Sequence, residues 1–187
     1  TLTVTSDDLV PNVRINGPVQ FMRYANQPLN LFASSYIPNC NSTGDGSIVE
    51  GGLSESGITV SYAWGTFRDF EFLDTLPSLA LDPKNFKLDA YSLTAGYRYS
   101  IVVTATLTFG DYSKFSQSQV VVDVQSRGVE AVITGGANRT VTLAEDYIVI
   151  DASRSRSLDY ELGYSGSDAP TLNHTWSCVE YSPTFGD

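Results

Sequence analysis

The chain has 187 residues, of which 42% are hydrophobic and 12% aromatic, and that apolar content excludes a disordered chain. With 11 Lys and Arg against 21 Asp and Glu, a formal net charge of −10 and a pI near 4.4, it repels phosphate backbones and is not expected to bind nucleic acid. No apolar run approaches the ~20 residues of a membrane span, so membrane insertion of this segment is not expected either.

The opening "TLTVTS" alternates like a strand and resembles "QVVVDV" at Gln119–Val124. Residues 1–8 are therefore predicted to be the last strand of a preceding repeat, and a chain that opens on Thr reads as a piece of something longer. Val13 and Ile15 begin the next strand, and Leu29, Leu31 and Ala33 face inward on the one after. The following "NCNSTGDGS" holds Cys40 and a sequon at Asn41. It lacks both the lysine of a phosphate loop and the carboxylate spacing of an EF-hand, and reads as a solvated loop.

"ITVSYAWG" places Val60, Tyr62 and Trp64 inward, with Thr59, Ser61 and Ala63 outward. The prolines of "FRDFEFLDTLPSLALDPKNFKLDAYSL" suit brief strands and turns rather than a helix. Packing is the ordinary use of Phe67, Phe70 and Phe72; an exposed aromatic platform is the alternative. In "YRYSIVVTATL", Tyr97, Tyr99, Ile101, Val103, Ala105 and Leu107 alternate with polar residues. The turn "FGDYSK" then leads to Val120, Val122 and Val124, which makes a hairpin. "LTAGYRY" has the layout of a tyrosine corner, with the Tyr97 ring buried and its hydroxyl returned to backbone near Leu93. An ordinary core tyrosine at Tyr97 gives the same fold.

Beyond Ser126–Gly128 the pattern begins again. "NVRINGP" matches "EAVITGG", with Ile15 over Ile133 and Gly17 over Gly135. "PLNLFASS" matches "YIVIDASR", and "ITVSYAWG" matches "TLNHTWSC", with Trp64 over Trp176. Such self-similarity marks tandem units. The expected fold class is all-β: tandem immunoglobulin- or fibronectin type III-like β-sandwiches around core Trp64, Trp176 and Tyr97, the second truncated. Residues 9–127 form the complete sandwich and 128–187 the N-terminal half of the next.

Catalytic residues and cofactors are not expected. His174 is the only histidine, aligned with Tyr62, and is expected to pack beside Trp176. "GLSES" and "GYSGS" are not nucleophile elbows. Asp151, Asp159 and Glu161 could gather at one pole and hold calcium. Arg154 and Arg156 lie among them, so salt-bridged loop residues are the plainer expectation. The sequons at Asn41, Asn138 and Asn173 are expected to be exposed and to carry N-linked glycans. In an extended tandem Cys40 and Cys178 lie farther apart than the ~7 Å between Cα atoms that a disulfide tolerates. Their partners are expected outside this window or in another chain.

"VEAVITGGANRTVTLAEDYIVIDASRSRSLD…LNHTWSC" resembles the receptor-for-egg-jelly (REJ) module of polycystins and sperm surface receptors. The shared features are the apolar–Ile–Gly-Gly start, the "DAS-x-S" phrase and the "W-x-C" ending, and in the first unit Cys40 after "FASS" and "SLTAGYRYSIVVTA". The family's "S-x-D-P-D" is here "SRSLDYE", so a role tied to that proline is not carried over. The resemblance implies fibronectin-like extracellular domains of a large cell-surface protein, at a ciliary or flagellar surface among others, and no catalysis. The leading expectation is a structural and adhesive module contacting other domains of the same long chain and neighbouring extracellular proteins. The alternatives are a repeat of an extracellular filament or ciliary appendage, and an accessory binding domain of a secreted enzyme.

Overall fold

The computed structural model describes residues 10–36, 58–136, 147–167 and 169–179. The chain divides into two compact units, Thr1–Ser126 and Arg127–Asp187. No helix occurs among the described residues, and the protein is all-β.

In the first unit the strands are β1 (Asn12–Ile15), β2 (Gln20–Tyr24), β3 (Leu29–Tyr36), β4 (Ile58–Arg68), β5 (Glu71–Phe72), β6 (Asn85–Leu88), β7 (Arg98–Phe109) and β8 (Tyr112–Gln125). They form a three-stranded sheet in the order β1-β3-β6 and a five-stranded sheet in the order β2-β8-β7-β4-β5. The longer strands are half apolar by period 2, so each sheet has one face to bury. Leu29 and Leu31 of β3 and Phe86 and Leu88 of β6 pack with Tyr99 and Ile101 of β7 and with Val120, Val122 and Val124 of β8. A second cluster joins Val13 and Ala33 to Val103 and Ala105. The sheets therefore share one core, in the manner of a β-sandwich. Trp64 is half-buried between the clusters, its ring 5.3 Å from that of Phe86, and its Nε1 donates to the Pro83 carbonyl at 2.9 Å.

The inward alternation expected for β3, β4, β7 and β8 is present. Gly110 and Asp111 form the two-residue loop between β7 and β8; only Gly110 takes positive φ, 55°, as the first position of a II′ turn requires.

Two features of the strand framework of the first unit differ from the sequence reading. The strand β2 was not expected. After β1 the chain switches sheets around Gly17, at φ 114°, and Pro18, and β2 then pairs parallel with the end of β8, Phe21 opposite Val122. A short edge strand whose inward positions are Phe21 and Arg23 carries too weak an alternation to be seen in isolation. The tyrosine corner is real, but it belongs to Tyr99. Tyr99 is 1% exposed, and its hydroxyl accepts the Thr94 N–H at 3.0 Å. Tyr97 is 44% exposed and is not a core residue. Its backbone precedes β7, after Gly96 at φ 85°, so the strand's alternation does not extend to it. Its ring instead lies 4.8 Å beneath the Arg68 guanidinium, a cation–π contact.

In the second unit β9 (Val129–Glu130) and β10 (Arg156–Ser157) form a two-stranded antiparallel ladder, tied by the Arg156–Glu130 ion pair at 2.8 Å. The strands expected around Ile148–Ala152 and Leu172–Trp176 are not formed. Ile148 is 55%, Ile150 52% and Trp176 51% exposed, and His174 is exposed, so none packs as expected. Inward packing needs a facing layer, and the described part of this unit has one ladder and no buried apolar cluster. Residues 1–8, Cys40, Asn41 and Asn138 lie outside the described residues.

Candidate interaction face

The outer face of the five-stranded sheet is built by the positions that alternate with the core. It carries Gln20, Met22 and Tyr24 from β2, and Phe115, Gln117, Gln119, Val121 and Asp123 from β8. The strand β7 adds Arg98, Ser100, Val102, Thr104 and Thr106; β4 adds Ser61, Ala63, Gly65 and Phe67; β5 adds Phe72. Hydrogen bonds order this surface. Gln119 Nε2 donates to Ser100 Oγ and Gln117 Nε2 to Thr104 Oγ1, each at 3.0 Å, across β7 and β8. Arg98 Nε donates to Asp123 Oδ1 at 2.6 Å, while Gln20 Nε2 donates to Asp123 Oδ2 at 2.7 Å. Hydrogen bonds from Arg98 and then Gln20 hold the Asp123 carboxyl below its ordinary range, and Asp123 in turn raises Arg98. These two are the charged residues at the outward strand positions, and they satisfy one another.

At one end of the face stand three phenylalanines. Phe67 and Phe72 are cross-strand partners with ring centroids 5.4 Å apart. They lie over Gly65, where an added Cβ would stand 3.1 Å from Phe67 Cε2 and 3.4 Å from Phe72 Cε2. Phe72 is 56% exposed, and Phe70, at the β4–β5 turn, is fully so. The expectation that all three pack ordinarily is therefore corrected: Phe67 alone is half-buried. Asp69 and Phe70 both take positive φ, 50° and 68°, as a two-residue I′ turn demands and as bulky residues resist. Phe70→Gly is thus expected to stabilise the unit by about 1 kcal/mol, read as a higher denaturant midpoint. A lower midpoint would show that the Phe70 ring makes a stabilising contact. Phe67 and Phe70 border a shallow hollow of about 520 Å³, floored by Arg98, Ser100, Val102 and Gln119.

The carboxylates singled out in the second unit have separate partners. Asp151 Oδ1 accepts the Ser153 N–H at 2.8 Å, and this hydrogen bond is the main cause that lowers its pKa. Asp159 Oδ1 accepts the Arg127 N–H at 2.7 Å, and Glu161 is exposed. Among the described residues no three His, Cys, Asp or Glu side chains are grouped to hold a metal. Asp151 thus caps its own local turn, whereas Asp159 is held by backbone 32 residues away. A second hollow, of about 500 Å³ and largely apolar, lies between Val129, Val132, Ile133, Leu172 and Trp176. Asn173 is exposed, and Cys178 is a free, exposed thiol. Among the described residues, no helix is long and apolar enough to cross a membrane.

Comparison with known proteins gives one match: the family model described as REJ domain covers residues 57–185, more than half of the chain. It begins one residue before β4 and runs through both compact units. No curated protein and no solved structure matches the chain.

Proposed function

From the premise that this chain belongs to the REJ domain family, we propose that it is a non-catalytic extracellular module of a large polycystin-like cell-surface protein. Its work is to space and present adhesive surfaces to other domains of its own long chain and to neighbouring extracellular proteins. The observation that carries the adhesive reading is the ordered, charge-balanced outer face of the five-stranded sheet, with its exposed phenylalanines at one end. The strand order, with β1 and β2 serving opposite sheets, supports an immunoglobulin-like assignment for the first unit. The exposed Ile148, Ile150 and Trp176 support reading residues 128–187 as half of a second sandwich, since their counterparts Leu29, Leu31 and Trp64 are covered by a facing sheet. The fully exposed Phe70 favours a second reading, an accessory binding domain with an aromatic platform.

The extracellular assignment makes its own prediction. Asn173 heads the sequon "NHT" and is exposed. On intact cells the native protein is expected to react with a membrane-impermeant amine reagent and to lose mass on glycosidase treatment. An unlabelled protein of unchanged mass would overturn the reading.

A further inference from the structure

The outer face of the five-stranded sheet is depleted in charge. Exposed sheet faces are kept soluble by Lys, Glu and other charges, yet here Thr, Ser and Gln alternate with Val102, Val121, Met22 and Phe115. Its one ion pair, Arg98–Asp123, is internally neutralised. The chain as a whole carries −10, so two copies repel one another through most of their surfaces. This face adds nothing to that repulsion, because its two charges pair with each other. Charged side chains are the residues depleted from the centres of protein interfaces.

Size and accessibility agree. At ~3.4 Å per residue and ~4.8 Å between strands, the face measures roughly 34 Å by 14–24 Å, on the order of 500–800 Å². A standard interface takes about 800 Å² from each partner. The sequon residues Asn41, Asn138 and Asn173 fall outside the residue ranges of these five strands. The side chains are also held in place before any partner arrives, by the Gln119–Ser100 and Gln117–Thr104 hydrogen bonds. Preordered side chains lose less entropy on association.

We propose that this face binds a second copy of the chain, sheet to sheet, about a twofold axis, with Val102 near the centre of the contact. The inference rests on the adhesive reading above and names its partner. Its test is separate, because purified chains associate or fail to associate whatever membrane or glycan the native protein carries.

Sedimentation equilibrium of the 187-residue chain is expected to show a monomer–dimer equilibrium with a dissociation constant in the micromolar range or tighter. Val102→Arg sets two uncompensated charges into the contact and is expected to weaken dimerisation at least tenfold. Asn30→Arg, on the exposed face of the other sheet, is expected to leave it unchanged. Should Val102→Arg fail to fold by circular dichroism, Thr104→Lys carries the same test one outward position along β7. A wild-type chain that stays monomeric would overturn the proposal, and so would equal association by Val102→Arg or Thr104→Lys and Asn30→Arg.

Discussion

Phe86→Ala is expected to destabilise the first unit by about 3–5 kcal/mol, enough to leave a domain of ordinary stability close to unfolding. Phe86 is 1% exposed and sits on β6, the short edge strand of the three-stranded sheet. Its ring is the contact through which that edge reaches Trp64 on the opposite sheet, 5.3 Å away. Truncation removes the transfer free energy of the ring and leaves a cavity that Trp64 fills poorly, since its Nε1 is anchored to the Pro83 carbonyl. The measurement is urea denaturation followed by tryptophan fluorescence, with Phe32→Ala as the control. Phe32 occupies the pairing strand β3 but is 43% exposed, and its loss is expected to cost less than about 1 kcal/mol. Equal costs for the two variants would mean that the sheets do not share the core described.

The second large effect separates two neighbouring tyrosines. Tyr99→Phe is expected to cost about 1–3 kcal/mol, because the Thr94 N–H loses the hydroxyl that accepts it at the buried corner. Tyr97→Phe is expected to change stability by less than about 0.5 kcal/mol: the ring is 44% exposed, and a phenyl still faces the Arg68 guanidinium. Chemical denaturation of both variants decides the matter, and a larger cost at Tyr97 would return the corner to the position that the bare motif suggested.

That motif shows what a sequence of this kind makes legible. The long strands β4, β7 and β8 were readable because each crosses the sandwich with one apolar face, and Leu29, Leu31 and Ala33 of β3 were readable for the same reason. Where alternation runs out, so does the inference. "GYRY" offers two tyrosines of the same parity, and only the start of β7 at Arg98 tells which one the pleat carries inward. The strand β2 is fixed by its parallel pairing with β8, a contact between segments about a hundred residues apart that local pattern does not encode. In the second unit the repeat is visible in sequence, yet Ile148, Ile150 and Trp176 have no facing layer among the described residues, and sequence periodicity alone implies burial without supplying one. The interaction face was half legible. Phe67, Phe70 and Phe72 are recognisable as a possible platform, whereas the Thr and Ser positions of β4 and β7 read only as the polar side of strands. Their ordering into a charge-balanced surface emerges from register, which sets Gln119 beside Ser100 and Arg98 opposite Asp123.

The most direct measurement is bead aggregation. Beads coated with the 187-residue chain are expected to cluster, and beads coated with Val102→Arg to remain dispersed while those with Asn30→Arg cluster as the wild type does. Dispersed wild-type beads, or clusters that Val102→Arg leaves intact, would contradict self-association through the outer face of the five-stranded sheet.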